Sequence, residues 1–181
     1  MRGEGLSNLL EKYPQEVQAI LAKYPPEYKR SAVMPLLYLA QHEAVRESGR
    51  LYVSQAAMDE IAGLLDISAT EVASIVGFYS LYYDAPAGRY RIQVCIDLPC
   101  ALRGADQFLQ ELCKRLNIQP GETTADGLIS VEPVMCLAAC DRAPVFQLQS
   151  SEGIAYHENQ SVDSAMALIE TLRHEATGKR R

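Results

Sequence analysis

Two hydrophobic periods follow one another along this chain. Up to about residue 83 the apolar positions recur at helical spacing. "PQEVQAILAKY" sets Val17, Ile20 and Leu21 on one stripe, and "PPEYKRSAVMPLLYLAQHEAV" continues with Val33, Leu36, Leu37 and Ala40. Pro35 lies inside that stripe, so a kink or break is expected there. Ser54 is placed to cap a helix carrying Met58, Ile61 and Leu65, and Ser68 with Glu71 forms a capping box for the next. Four helices with short loops predict a small bundle over residues 1–85. Phe78, Tyr79, Tyr82 and Tyr83 stand together near its end, and read either as internal packing or as anchors for a partner. "DAPAGR" then breaks the pattern, and the domain boundary is placed there. Beyond it the period changes. Tyr90, Ile92 and Val94 alternate as in a strand, and Phe108, Leu109, Leu112, Cys113 and Leu116 return to helical spacing. "GLISVEPV", "PVFQLQ" and "GIAYH" read as strands. Ser161 opens a last helix with Val162, Ala165, Met166, Ile169 and Leu172 on one face. The order β-α-β-β-(β)-α predicts an α+β domain over residues 86–181, a small sheet covered by two helices.

The 181 residues carry a net charge of −6, about −3 in each half, and 48% of them are hydrophobic. The basic positions form no patch except the terminal "GKRR", so nucleic acid is not an expected partner. The opening "MRGEGLSNLLEKYPQE" has no apolar leader segment, and the apolar runs are too short to cross a bilayer. A soluble protein in a reducing, cytoplasmic setting is expected. Five cysteines are an odd number, and in such a setting their spacing points to metal or redox chemistry rather than a disulfide framework.

Four of the five fall in two pairs, Cys95 with Cys100 in "CIDLPC" and Cys136 with Cys140 in "CLAAC". Each pair directly follows a predicted strand, so the two loops can meet at one end of the sheet. Four converging thiolates suit iron–sulfur or zinc. Two separated pairs match a [2Fe–2S] cluster, in which each iron takes two sulfurs; the gaps of four and three residues are loose for structural zinc. Both metals remain open on spacing alone. Cys113 lies on the apolar stripe of its helix and reads as core. Cys136 and Arg142 outline a C-x5-R phosphate loop, but the segment has no glycine and Asp141 would repel an anion. His42, His157 and His174 are far from the cysteines in sequence, and nothing favours a Cys–His nucleophile.

The pattern C-x4-C, then "CLAACDRAP", with "YPPEYKRSAVMPLLYLAQ", "VASIVGFYSLYY", "GRYRIQVC" and "APVFQL" in order, resembles the 24-kilodalton [2Fe–2S] subunit family of NADH-quinone oxidoreductase, respiratory complex I. The resemblance covers nearly the whole chain. It implies a helical bundle followed by a thioredoxin-like [2Fe–2S] ferredoxin domain, with Cys95, Cys100, Cys136 and Cys140 as ligands of one cluster. It also implies docking on a flavoprotein subunit that binds FMN and NADH, at the membrane periphery through the complex. The chain itself is then expected to supply no catalytic acid, base or nucleophile. Relatives commonly have glycine where this chain has Ala138. Arg103 and Arg142 are the cations near the cysteines, and each is expected to raise the cluster's potential above the roughly −400 mV usual for all-cysteine ligation. Alternative readings are a free-standing ferredoxin of the same fold, the equivalent subunit of an NAD-linked hydrogenase or formate dehydrogenase, and a zinc-stabilised interaction protein.

Overall fold

The computed structural model describes residues 8–178. The early Glu4 and the basic positions 179–181 lie outside the described residues. The chain divides into two compact units, Met1–Pro86 and Ala87–Arg181.

The first unit is helical. It contains α1 (Leu9–Lys12), α2 (Pro14–Leu21), a 3-10 segment (Pro26–Ala32), α3 (Val33–Ser48), α4 (Gln55–Leu65) and α5 (Ala69–Phe78). Val17, Leu36, Leu37, Ile61 and Val72 share one fully buried core, which the stripes read from the sequence supply. Ser54 Oγ accepts the Ala57 N–H at 3.2 Å, and Ser68 with Glu71 closes the expected reciprocal box. Each such cap stabilises its helix by about 1 kcal/mol. The kink expected at Pro35 is absent. Pro35 occupies the third position of α3, where backbone N–H groups have no intrahelical acceptor to lose, and α3 runs on to Ser48. The irregularity lies upstream in the 3-10 segment, where Tyr28 has φ −113° and ψ 17°. The aromatics near the end of the unit also separate. Tyr82 is buried in this unit's own core and its hydroxyl donates to the Met34 carbonyl at 3.1 Å, whereas Phe78 is 80% exposed.

One charged group of this unit has a definite pH signature. The Glu43 carboxylate on α3 accepts from Lys12 Nζ at 2.8 Å and from the Tyr13 hydroxyl. Burial pushes its carboxyl up, but the Lys12 and Tyr13 hydrogen bonds outweigh it and the net shift is downward from 4.5. A folded-state pKa below the unfolded one stabilises the fold above the unfolded value, and that contribution disappears as pH falls through the folded value. Glu43→Gln is therefore expected to lower the thermal midpoint of the full chain at pH 7. The gap to wild type should begin to close below pH 4.5, the ordinary value. Melts followed by circular dichroism at several pH values test this; a gap independent of pH would refute it.

The second unit is a four-stranded sheet, β1 (Tyr90–Cys95), β2 (Ile129–Val134), β3 (Phe146–Ser150) and β4 (Gly153–His157), in the order β2-β1-β3-β4. β1 and β2 are parallel, linked through α6 (Leu98–Ala101) and α7 (Ala105–Leu116); β3 and β4 add on antiparallel, and α8 (Val162–Gly178) follows. Ile92, Val94, Ile129, Val131 and Phe146 are buried together with Phe108 and Leu112 of α7 and Ile169 of α8. Each fully buried side chain of this size contributes about 1.5–3 kcal/mol. This is the sheet covered by two helices that the sequence predicts.

β1 is buried along its whole length, so its alternate residues Arg91 and Gln93 are buried as well. They are accommodated by a ladder of side-chain bonds across three strands. Arg91 Nη1 donates to Gln149 Oε1 at 2.9 Å and Arg91 pairs with Glu132. Gln93 Nε2 donates to Glu132 at 2.7 Å and its own Oε1 accepts from Gln147. A buried charge persists only with such partners.

Candidate metal centre

Parallel pairing of β1 and β2 brings their C-terminal ends together. Cys95 stands opposite Val134 in register, and the Ile96 N–H donates to the Val134 carbonyl at 3.0 Å. Each strand then runs straight into a cysteine loop. After β1, Asp97 caps α6 by accepting the Leu98 N–H at 2.9 Å, and Pro99 occupies the first turn, where a missing N–H costs little. This single turn folds Cys100 back beside Cys95, and both are fully buried. After β2, the chain passes Met135 and Cys136, both exposed, and reaches a 3-10 turn at Cys140–Arg142.

Cys95 and Cys100 form a small apolar cluster with Ala105, Ala143 and Val145, against which Leu137, Ala139 and Cys140 pack. The Cys100 thiol is pushed up to about 12, first by burial, then by its hydrogen bond and proximity to Cys95 and by Cys140. Three of the four predicted sulfurs are thus neighbours. Cys136 is exposed on the same loop as Cys140, and its Sγ accepts the Ala138 N–H at 3.4 Å. Among the described residues no group of three or more His, Cys, Asp or Glu side chains stands in metal-holding geometry. Soft sulfur donors, apolar walls and a backbone N–H aimed at sulfur nonetheless match the needs of an iron–sulfur cluster.

Cys113 is buried on α7, pushed up to about 11 mainly by burial, and belongs to the sheet core as expected. His157 stacks on Phe146 at 4.9 Å and burial lowers its pKa. His42 is half-buried on α3 of the helical unit; burial and Arg46 lower its pKa. His174 is exposed on α8. Sequence reasoning misses Asp97 and Glu158, and marks Ala138 without its backbone conformation. Asp97 is recoverable, since an Asp before Leu-Pro is a helix-start signal. Ala138 adopts φ 56°, the left-handed region that favours glycine. Glu158, which pairs with Arg142 at 2.6 Å, carries no local signal at all.

Residues 17–173 match the family model described as thioredoxin-like [2Fe-2S] ferredoxin. The chain belongs to this family. Curated relatives of this ferredoxin include NADH-quinone oxidoreductase subunit 2 of Thermus thermophilus, 43% identical over 132 residues, covering 73% of this chain and 70% of the relative. An NADH-quinone oxidoreductase subunit of Rickettsia prowazekii is 37% identical over 162 residues, covering 90% of this chain and 86% of the relative. Among solved structures, an NAD+-reducing [NiFe]-hydrogenase in the air-oxidized state superposes with a TM-score of 0.59 at 23% identity. That match covers 77% of this chain and 23% of the hydrogenase chain, and at that identity it shows a shared fold. The resemblance, the fold class and the cofactor expected from the sequence, one [2Fe–2S] cluster, are borne out by the family and its relatives. Among the described residues no helix is long and apolar enough to cross a membrane.

Proposed function

We propose that this chain is the electron-transfer subunit of an NADH-quinone oxidoreductase, holding one [2Fe–2S] cluster through Cys95, Cys100, Cys136 and Cys140. In this reading residues 86–181 carry the cluster and residues 1–85 dock on the partner, a flavoprotein subunit that binds FMN and NADH. The observation that carries it is the gathering of Cys95, Cys100 and Cys140 at the shared end of two parallel strands, with Cys136 on the same loop as Cys140. When bound, the cluster supplies one-electron chemistry, which suits a flavin that divides the electron pair of NADH. The chain's own residues have structural roles in this. Cys95 is held by the strand ladder and Cys100 by α6, so two ligands are preset before metal arrives. Leu137, Ala139, Ala143 and Val145 keep water from Cys95 and Cys100. Titratable side chains are not needed, because an electron is transferred without a proton.

The rim of the two loops exposes three large apolar side chains beside its charged ones. Leu98, Leu102 and Met135 are 70%, 80% and 71% exposed, within three residues of a proposed ligand. Apolar side chains around a redox group favour close, dry contact with the donor. Phe78, exposed in the helical unit, is a second candidate anchor. Leu98→Asp combined with Leu102→Asp is expected to weaken binding to the NADH-binding partner subunit by on the order of tenfold or more, leaving the cluster spectrum unchanged. Binding measured by titration calorimetry checks this, and unaltered affinity would place the interface elsewhere.

Anaerobic reconstitution with iron and sulfide tests the main reading. The expected product is coloured, contains about two irons and two sulfides per chain, and gives an electron paramagnetic resonance signal on reduction. Colourless protein with one zinc would overturn it in favour of the zinc-stabilised alternative. Reduction by NADH once the partner subunit is added, and not before, distinguishes a complex subunit from a free-standing carrier.

A further inference from the structure

The second cysteine loop is held in place by residues that are distant in sequence. Three consecutive carbonyls immediately after Cys140 and Asp141 each receive a donor from elsewhere. Arg142 O accepts the Asn159 N–H at 2.7 Å, and Pro144 O accepts the Gln160 N–H at 2.8 Å. Ala143 O, between them, accepts from Arg103 Nε at 3.4 Å. Arg103 stands three residues beyond Cys100, so this bond ties the first cysteine loop to the second. The short linker between β4 and α8 closes the arrangement: Glu158 accepts from Arg142 Nη1 at 2.6 Å. Asn159 has φ 51°, a left-handed conformation that asparagine tolerates better than most residues.

We infer that Glu158 and Arg103 are positioning residues that fix the Cys136–Cys140 loop against Cys95 and Cys100, Glu158 acting through Arg142 and Arg103 through the Ala143 carbonyl. Apart from the apolar packing of Leu137, Ala139 and Cys140, these bonds define the loop. Cys136 is exposed and Ala138 is left-handed, whereas the residues just after Cys140 are anchored on three sides. Glu158 has a second effect. Arg142 is the cation two residues beyond Cys140, and its guanidinium is balanced by Glu158 on one side and by Asp141 at 3.7 Å on the other. Removing the Glu158 charge leaves Arg142 less compensated, and a less compensated cation favours the reduced, more negative cluster.

This inference rests on the proposed ligand set. It is tested on the full chain reconstituted with [2Fe–2S], comparing wild type, Glu158→Gln, Arg103→Gln and the charge exchange Arg142→Glu with Glu158→Arg. Glu158→Gln is expected to lose its cluster to an iron chelator about threefold faster, the scale of one partly exposed ion pair. Its reduction midpoint should rise while the thermal midpoint of the cluster-free chain stays as in wild type. Arg103→Gln should also release the cluster faster. The exchanged pair should restore the wild-type release rate, because attraction is kept and only its direction reversed. Wild-type release and midpoint in Glu158→Gln would overturn the inference while leaving the ligand reading intact. Wild-type protein that assembles no cluster would overturn the ligand reading itself.

Discussion

Cys100→Ala is expected to abolish stable cluster assembly, with iron and sulfide falling from about two of each per chain to background. Cys100 is the hub of the site: it is fully buried, and both Cys95 and Cys140 act on its thiol. The side chain is presented by one turn of helix whose Asp97 cap and strand-end anchor leave it no freedom to be replaced by a neighbour. Among the described residues the buried thiol of this unit outside the proposed ligand set is Cys113, committed to the sheet core on α7. Three remaining sulfurs leave one iron with a single protein ligand, open to water. Elemental analysis and the reduced-state resonance signal measure the outcome. Cys113→Ala is the matched control, since it removes a buried sulfur of the core and should keep its iron. A Cys100→Ala protein that retained a full-strength signal would show that the ligand set is drawn wrongly.

Gly88→Ala is expected to destabilise the sheet unit by about 2–3 kcal/mol, through overpacking rather than lost contacts. A Cβ on Gly88 would lie 2.6 Å from Ser130 N, 2.7 Å from the Ile129 carbonyl carbon and 2.8 Å from Leu128 O. All three are backbone atoms at the start of β2, so no rotamer change relieves the clash. The Gly88 N–H also donates to Ser130 Oγ at 2.6 Å, and moving either strand apart to admit a methyl group stretches that bond. The neighbouring Tyr90 N–H to Leu128 O bond at 2.8 Å begins the parallel ladder that brings the cysteine loops together. For a unit of about this size the loss corresponds to a fall in melting temperature on the order of 10–20 °C. Thermal unfolding of the full chain reports it. A shift of less than about 2 °C would mean that the two segments separate freely and the close approach is not required.

The two predictions draw on different kinds of information. The cysteine pairs, the Ser54 and Ser68 caps, and the stripes at Leu36, Ile61 and Leu112 are legible because the forces behind them act within a few residues. Side-chain spacing and capping are local, and a residue list displays them. Pro35 misleads for a related reason: its effect depends on where the helix begins, and the 3-10 segment ahead of it moves that start to Val33. Tyr82 and Phe78 read as one aromatic run, yet the chain leaves α5 between them, and one enters the core while the other meets solvent.

Residues joined across the fold cannot be read in the same way. Arg91 and Gln93 look like a solvated strand face until Glu132, Gln147 and Gln149 arrive from two neighbouring strands and make their burial tolerable. Glu158 carries no local signal, and Arg103 reads only as a cation near the cysteines, until the β4–α8 linker and the turn after α6 meet at the second cysteine loop. Residue identity and short-range spacing were enough to pick out two cysteine pairs and the elements that carry them. Pairing β1 with β2 in parallel, which no local interaction specifies, decided that three of those sulfurs would lie side by side and which distant residues would hold the loops around them.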